Sequence, residues 1–286
     1  MNIGATEIFV SAAGVKDHAV LQGKRLFPII LFLCTLLWSP AARGQCPDTA
    51  GRICTYTYRV VQSFPHDPRA FTQGMAIADG MLFEGTGLNG RSSLRRVELA
   101  TGVVVQSSVL PGQFFGEGIT VFGNRIIQLT WKSGFGFVYA RDSFSLLRVF
   151  SYPAEGWGIT HDGRQLIASD GTATLRFLDP DTFEVTRRLE VRDDKGPVPM
   201  LNELEYVDGD IYANVWQTDR IAIINGRTGR VKGWINLQGL LNKEEYSGRV
   251  DVLNGIAYDS LQHKLYVTGK LWPRLFQIEM VRTDNQ

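Results

Sequence analysis

The chain has 286 residues, of which 44% are hydrophobic and 21% charged, with a formal net charge of +1. That apolar content excludes an intrinsically disordered chain. The balanced charge, with no clustered run of Lys or Arg, excludes a surface built to neutralise phosphates, so nucleic acid is not an expected partner. The length suits one large domain or two small ones, and all-β folds of this size are often single domains.

The first predicted element is an export signal over residues 1–44 with an extended n-region. Lys24 and Arg25 precede an apolar run from Leu26 to Trp38, and the small residues Ala41, Ala42 and Gly44 follow. The run is too short for a comfortable membrane span, so no stable membrane insertion is expected once the signal is cleaved. Arg43-Gly44-Gln45 before Cys46 makes a poor lipobox. A periplasmic or secreted protein is therefore expected. Cys34 would leave with the signal, and Cys46 and Cys54 would remain in the linker 45–54. In an oxidising compartment the two would pair, or else stay as free thiols in a tail; two cysteines do not make a zinc site.

From residue 55 the chain repeats itself. Five strands start at Gln73-Gly74, Glu117-Gly118, Trp157-Gly158, Asn202-Glu203 and Asn254-Gly255, with steps of 44, 40, 45 and 52 residues. About that many residues make a four-stranded propeller blade. Two-residue hairpin signals follow the first four strands: Asp79-Gly80, Gly123-Asn124, Asp162-Gly163 and Asp208-Gly209. A longer turn near Asp259-Ser260 serves the fifth. Second strands then run through Met81-Leu82-Phe83, Ile126 to Leu129, Leu166 to Ala168, Ile211 to Ala213 and Leu265 to Val267. The last repeat ends after a third strand, Arg274 to Met280, while Thr55 to Ser63 reads as a strand ahead of the first repeat. The prediction is an all-β, five-bladed β-propeller over 55–282, closed by that N-terminal strand, which leaves no open edge. Only Leu237 to Tyr246 reads as helical.

In a propeller the first strand of each blade lines the channel. The residues Gln73, Glu117, Trp157, Asn202 and Asn254 are therefore expected to ring one mouth. The ends of the second strands, Glu84, Trp131, Asp170, Trp216 and Lys270, are expected on the same face. Aromatic walls with a few polar groups make a small-ligand pocket. Other features carry less. Gly85-Thr86-Gly87-Leu88-Asn89-Gly90 has the literal spacing of a dinucleotide fingerprint but leads into a strand, not a helix. The four histidines are scattered, and Ser133 has no evident base, so neither a histidine metal site nor a serine nucleophile is expected.

At these residues the chain resembles the metal-independent plant- and bacterial-type glutaminyl-peptide cyclotransferases. Seven segments in order carry the resemblance: Phe71-Thr72-Gln73-Gly74, Phe115 to Thr120, Leu129 to Lys132, Glu155 to Gly158, Leu201 to Tyr206, Asn214 to Thr218 and Thr268 to Pro273. They extend from about Tyr56 to Met280. The resemblance implies a five-bladed propeller, conversion of an N-terminal glutamine to pyroglutamate with loss of ammonia, and peptide or protein partners bearing that glutamine. It implies no cofactor and no metal, with Glu117 as the catalytic acid. Phe71, Gln73, Trp131, Trp157, Asn202, Trp216 and Lys270 match pocket residues. Two other readings stand beside it. In a calcium-dependent propeller hydrolase Glu117, Asn202 and Asn254 would be ligands; a peptide-binding propeller without turnover would have the same pocket. A monomer is expected.

Overall fold

Strand follows strand from Cys54 to Arg282 because short apolar runs alternate with turns that only Gly, Asn or Asp fit easily. At two of the predicted hairpins both central residues sit at positive φ, Asp79 and Gly80 at 50° and 74° and Asp208 and Gly209 at 48° and 98°. That is the handedness a two-residue hairpin needs to match the twist of its strands. The computed structural model describes residues 52–283 except 243, 245 and 247, all within one compact unit. The expected signal over 1–44 and Cys46 lie outside the described residues. Cys54 is disulfide-bonded.

Twenty strands form four sheets. β1 (Cys54–Pro65) stands ahead of the repeats. The first sheet is β2 (Thr72–Ala78), β3 (Met81–Thr86), β4 (Ser93–Glu98) and β5 (Val104–Val109). The second is β6 (Gly116–Phe122), β7 (Arg125–Thr130), β8 (Phe135–Ala140) and β9 (Leu146–Ser151). The third is β10 (Ile159–His161), β11 (Leu166–Ala168), β12 (Thr174–Leu178) and β13 (Val185–Glu190). A fourth unit, β14 (Leu201–Val207), β15 (Asp210–Val215), β16 (Arg220–Asn225) and β17 (Val231–Asn236), is continuous with a last group, β18 (Leu253–Asp259), β19 (Lys264–Gly269) and β20 (Arg274–Arg282). β1 joins them. It pairs antiparallel with β20 from Tyr56↔Arg282 to Pro65↔Arg274, and briefly parallel with β17 from Cys54↔Gly233 to Tyr56↔Ile235.

The first strands of the units pack on one another in a circuit: β2 against β6, β6 against β10, β10 against β14, β14 against β18, and β18 back against β2. Apolar clusters fill the space between successive units. Phe83, Leu94, Ile119 and Ile126 lie between the first and second, and Ile127, Leu129, Ile159 and Leu166 between the second and third. Met75, Leu82, Ala257 and Tyr266 lie between the last and the first. Each fully buried Leu, Ile or Phe contributes about 1.5–3 kcal/mol, so the units are held face to face by their side chains and within themselves by ladder hydrogen bonds.

Where the first strands converge there is no room for side chains. A Cβ at Gly74 would lie 2.4 Å from the Ile119 nitrogen, one at Gly118 2.6 Å from the Trp157 oxygen, and one at Gly158 2.1 Å from the Asn202 oxygen. The fourth repeat has Glu203 at the same position and puts it to use. Its carboxylate accepts from the Met75 N–H at 3.2 Å and the Ile256 N–H at 2.8 Å, which fastens β14 to β2 and β18. Two residues on, and so on the same face of the strand, Glu205 accepts from the Tyr258 N–H at 2.8 Å and from the Thr160 hydroxyl at 3.2 Å. Burial pushes both carboxyls up, Glu205 to about 8, and the neighbouring Glu205 raises Glu203 further.

One expectation fails. The segment 237–246 forms no α-helix among its described residues. Gly239 at φ 81° breaks the run, and Leu237, Leu240 and Leu241 reach the core from a turn closed by Leu240 N–H to Leu237 C=O at 3.0 Å.

Gly158→Ala is expected to destabilise the fold by about 3 kcal/mol, lowering the melting temperature by roughly 5–10 °C. Gly112→Ala, whose Cβ would meet nothing closer than 3.7 Å, is the control and should melt within a degree or two of the parent. Thermal unfolding followed by circular dichroism checks both.

Candidate active site

Glu117 is the second residue of β6, 5% exposed, at the end of the strand where the five repeats begin. The Gln73 side-chain amide, from the equivalent end of β2, donates to Glu117 Oε1 at 3.1 Å. Asn254, at the start of β18, donates through Nδ2 to the Thr72 carbonyl at 3.1 Å and to Gln73 Oε1 at 3.5 Å. That contact orients the Gln73 amide with its NH₂ toward Glu117. Lys270, directly after β19, is 5% exposed. Burial pushes the Glu117 carboxyl well above the usual carboxylate range; the Lys270 charge opposes the rise and the Glu155 charge adds to it. Burial lowers the Lys270 ammonium, against the attraction of Glu117 and Asp251. An acid and a base are thus drawn toward one another in proton affinity, as at sites that move protons.

Aromatic rings wall this group. The Lys270 ammonium sits 5.0 Å from the Phe71 ring centre, Phe71 packs edge-on against Phe115 at 6.2 Å, and Phe115 against Trp131 at 5.6 Å. On the far side Trp157 and Trp216 meet edge to face at 5.5 Å. The Glu155 carboxylate joins the two halves: Trp131 Nε1–H donates to its Oε2 at 2.9 Å and Trp157 Nε1–H to the same oxygen at 3.1 Å. Asn202 is buried beside this wall, its backbone oxygen accepting from Ser169 Oγ at 2.6 Å. Its Oδ1 and that of Asn254 are buried acceptors without a protein partner. Buried acceptors are seldom left so.

Seven of the expected residues, Phe71, Gln73, Glu117, Trp131, Trp157, Trp216 and Lys270, are linked through these contacts into one cluster. Asn202 adjoins it through the packing of Gly158. One expectation is corrected. Glu84 shares a face of β3 with Leu82, so it points between units and not into the mouth. It is 1% exposed, 3.0 Å from His66 Nε2, accepts from Thr72 Oγ1 at 2.8 Å and lies 3.8 Å from Arg95. Asp170, just after β11, stays beside the wall, since its neighbour Gly171 packs on the Trp157 ring, and its carboxylate is held by Arg176 and Thr172. His66, set aside with the scattered histidines, anchors the chain beneath the mouth: its Nδ1 meets the Trp272 carbonyl at 2.6 Å, and its backbone N–H donates to Pro273. Phe115, Glu155 and the orienting role of Asn254 were missed. The first two lie inside segments that carry the family resemblance, and Asn254 in the predicted ring; only their contacts reveal what they do.

A family model for glutamine cyclotransferase matches residues 31–280. The chain belongs to the glutamine cyclotransferase family. The match reaches further toward the N-terminus than the segments from Tyr56 onward that suggest it in the sequence. A glutaminyl-peptide cyclotransferase of Arabidopsis thaliana is 47% identical over 242 residues, which are 83% of this chain and 75% of that protein. The crystal structure of Myxococcus xanthus glutaminyl cyclase superposes with a TM-score of 0.76 at 33% identity, covering 82% of this chain and all of that one.

The shared acceptor of the two indoles is open to test. In Glu155→Ala the Nε1–H resonances of Trp131 and Trp157 should shift upfield and exchange faster with solvent. That of Trp272, which donates to the Asp251 carbonyl at 2.9 Å, should stay in place. Nitrogen-15 correlation spectra of indole-labelled protein read the difference.

Proposed function

We propose that this chain is a glutaminyl-peptide cyclotransferase that closes the N-terminal glutamine of peptides and proteins to pyroglutamate and releases ammonia, with Glu117 moving the proton. The observation that carries this reading is a buried glutamate held by an amide, facing a lysine and enclosed by tryptophans. The reaction needs no enzyme nucleophile, because the substrate's own α-amine attacks its γ-carbonyl carbon. It needs a folded glutamine, a proton carrier and a donor to the oxygen on which charge develops.

Trp131, Trp157 and Trp216 fold the glutamine side chain back on its amine. Gln73 commits Glu117 Oε1 and leaves Oε2 to the substrate. The amine loses its proton to Glu117 as the new C–N bond forms. The same carboxyl then protonates the side-chain nitrogen as the old C–N bond breaks and ammonia leaves. A peptide α-amine has a pKa of about 7.7–8.0, so a carboxyl raised by burial is closer to it than an exposed one and exchanges the proton at lower cost. Lys270 faces the developing oxyanion. Gln73 gives one of its two amide N–H groups to Glu117 and keeps the other as a second donor for that oxygen. The free Oδ1 atoms of Asn202 and Asn254 accept N–H groups of the bound glutamine.

The five units read as the blades of one propeller, with β1 completing the last. This places the first residue of each repeat at a single mouth, with Glu203 spanning the channel below it. The chain acts as a monomer, is exported with removal of its first 44 residues, and works without a metal. Among the described residues no three of His, Cys, Asp and Glu gather as a metal site.

Glu117→Gln preserves size and loses the proton carrier. Its kcat on Gln-Ala should fall about 10²–10⁴-fold with KM changed much less, and retention of more than a third of the parent kcat would exclude Glu117 as the carrier. Dialysis against EDTA should leave the rate of ammonia release unchanged. Loss restored by calcium would favour the propeller-hydrolase reading of Glu117, Asn202 and Asn254.

A further inference from the structure

Beside the mouth, on the Phe71 side, lies a second cavity of about 220 Å³ lined by Asp67, Arg69, Thr86, Gly87, Arg91 and Arg95. It is built on the glycine-rich segment that follows β3. The segment is fastened from several sides: Gly87 N–H to the Phe71 carbonyl at 2.8 Å, Arg91 N–H to Leu88 at 2.9 Å, Ser92 Oγ to Leu88 at 2.8 Å and Gly90 N–H to Gly112 at 3.1 Å. Leu88 is held at φ 83°, a conformation disfavoured for a side-chain-bearing residue and sustained by these bonds. The segment leans on the catalytic group itself. A Cβ at Gly87 would lie 2.4 Å from the Phe115 ring and 3.1 Å from Gln73 Cγ.

The charge of this cavity is unbalanced. Asp67 takes the guanidinium of Arg95 at 2.9 Å and lies 3.4 Å from that of Arg69, and Arg95 also faces Glu84 at 3.8 Å. Arg95 donates to Ser93 Oγ at 2.8 Å and is fixed in place. Arg69 is exposed and shares one carboxylate with Arg95, and Arg91 makes no ion pair among the described residues. Two guanidinium groups therefore project toward solvent at the rim with a single aspartate between three arginines. The opposite rim is neutralised, since Lys132 lies 3.8 Å from Glu155 and 4.2 Å from the Trp131 ring centre. A peptide whose first residue occupies the mouth must leave across a rim, because Glu203 spans the channel beneath.

We infer that this cavity is a carboxylate subsite that binds an acidic group of the peptide downstream of its N-terminal glutamine, with Arg69 and Arg91 as the specificity-determining residues. The inference rests on the cyclotransferase reading of the neighbouring mouth. Guanidinium groups suit it because their planar fork matches a carboxylate in two hydrogen bonds. The cavity has room for a carboxylate, and its Gly87 bonds the Phe71 carbonyl and packs on Gln73. A side-chain carboxylate and the C-terminus of a short peptide offer the same chemistry.

The experiment compares kcat and KM of the full chain on Gln-Ala-Ala-NH₂, Gln-Glu-Ala-NH₂, Gln-Ala-Glu-NH₂ and Gln-Ala-Ala with a free C-terminus, at low and high salt. The acidic peptides should have KM values about fivefold lower than the neutral amide, the worth of about 1 kcal/mol for a partly exposed pair, and the gap should close with salt. Arg69→Gln/Arg91→Gln should abolish the gap while leaving kcat and the neutral amide's KM unchanged. Preference for the amidated glutamyl peptides identifies a side-chain carboxylate, and preference for the free C-terminus alone identifies the chain end. Equal KM values for all four peptides, or an equal loss on the neutral amide in the double variant, overturns the subsite. No turnover of any peptide overturns the cyclotransferase reading instead.

Discussion

The distance between the first strands of the units governs the rest of the molecule. They come so close that Gly74, Gly118 and Gly158 face backbone atoms where a side chain would need to be. Such an approach requires glycine for reasons of space, since their φ values are ordinary. The gain is that residues one position earlier, Gln73, Glu117 and Trp157, are brought to the edge of a narrow opening from three different sheets. The fourth repeat breaks the glycine rule with Glu203, and the carboxylate that results is hydrogen-bonded to two neighbouring strands. Burying that carboxylate costs free energy and raises its proton affinity; the hydrogen bonds offset part of the cost.

The same crowding sets the electrostatics of the site. Glu117 is buried because the mouth is narrow and lined with rings, and burial is the largest influence on its proton affinity. Lys270 opposes that influence from the last unit, and Glu155 reinforces it from the wall between Trp131 and Trp157. Burial and two charges from distant parts of the chain therefore tune one carboxyl. Glu155 also holds both indoles by hydrogen bonds, so the shape of the pocket and the acidity of its carboxylate are coupled through one side chain.

Much of this was legible along the chain. The repeat of X-Gly starts, the Asp-Gly hairpins and the second strands gave the strand order, and Gln73, Glu117 and Asn202 lie near the starts of β2, β6 and β14. The N-terminal strand β1 pairs antiparallel with β20. Glu84 was misplaced because alternation along a strand assigns a residue to one of two faces and does not say what that face meets. The segment 237–246 was misread because leucines at 237, 240 and 241 satisfy a helical period and a compact turn equally well, and Gly239 decides for the turn.

The sequence by itself determined the all-β class, the turns between strands and the residues near which the first strands begin. Each of these is set by local periodicity and by the backbone freedom of Gly, Asn and Asp. Only the tertiary structure decided which carboxylate enters the mouth and which stays between the units. It alone assigned Glu155 to two indoles, His66 to Glu84, and Arg69 and Arg91 to the rim beside Phe71. Those assignments depend on separations of a few ångströms between residues tens to hundreds of positions apart, and side-chain packing between neighbouring units sets those separations.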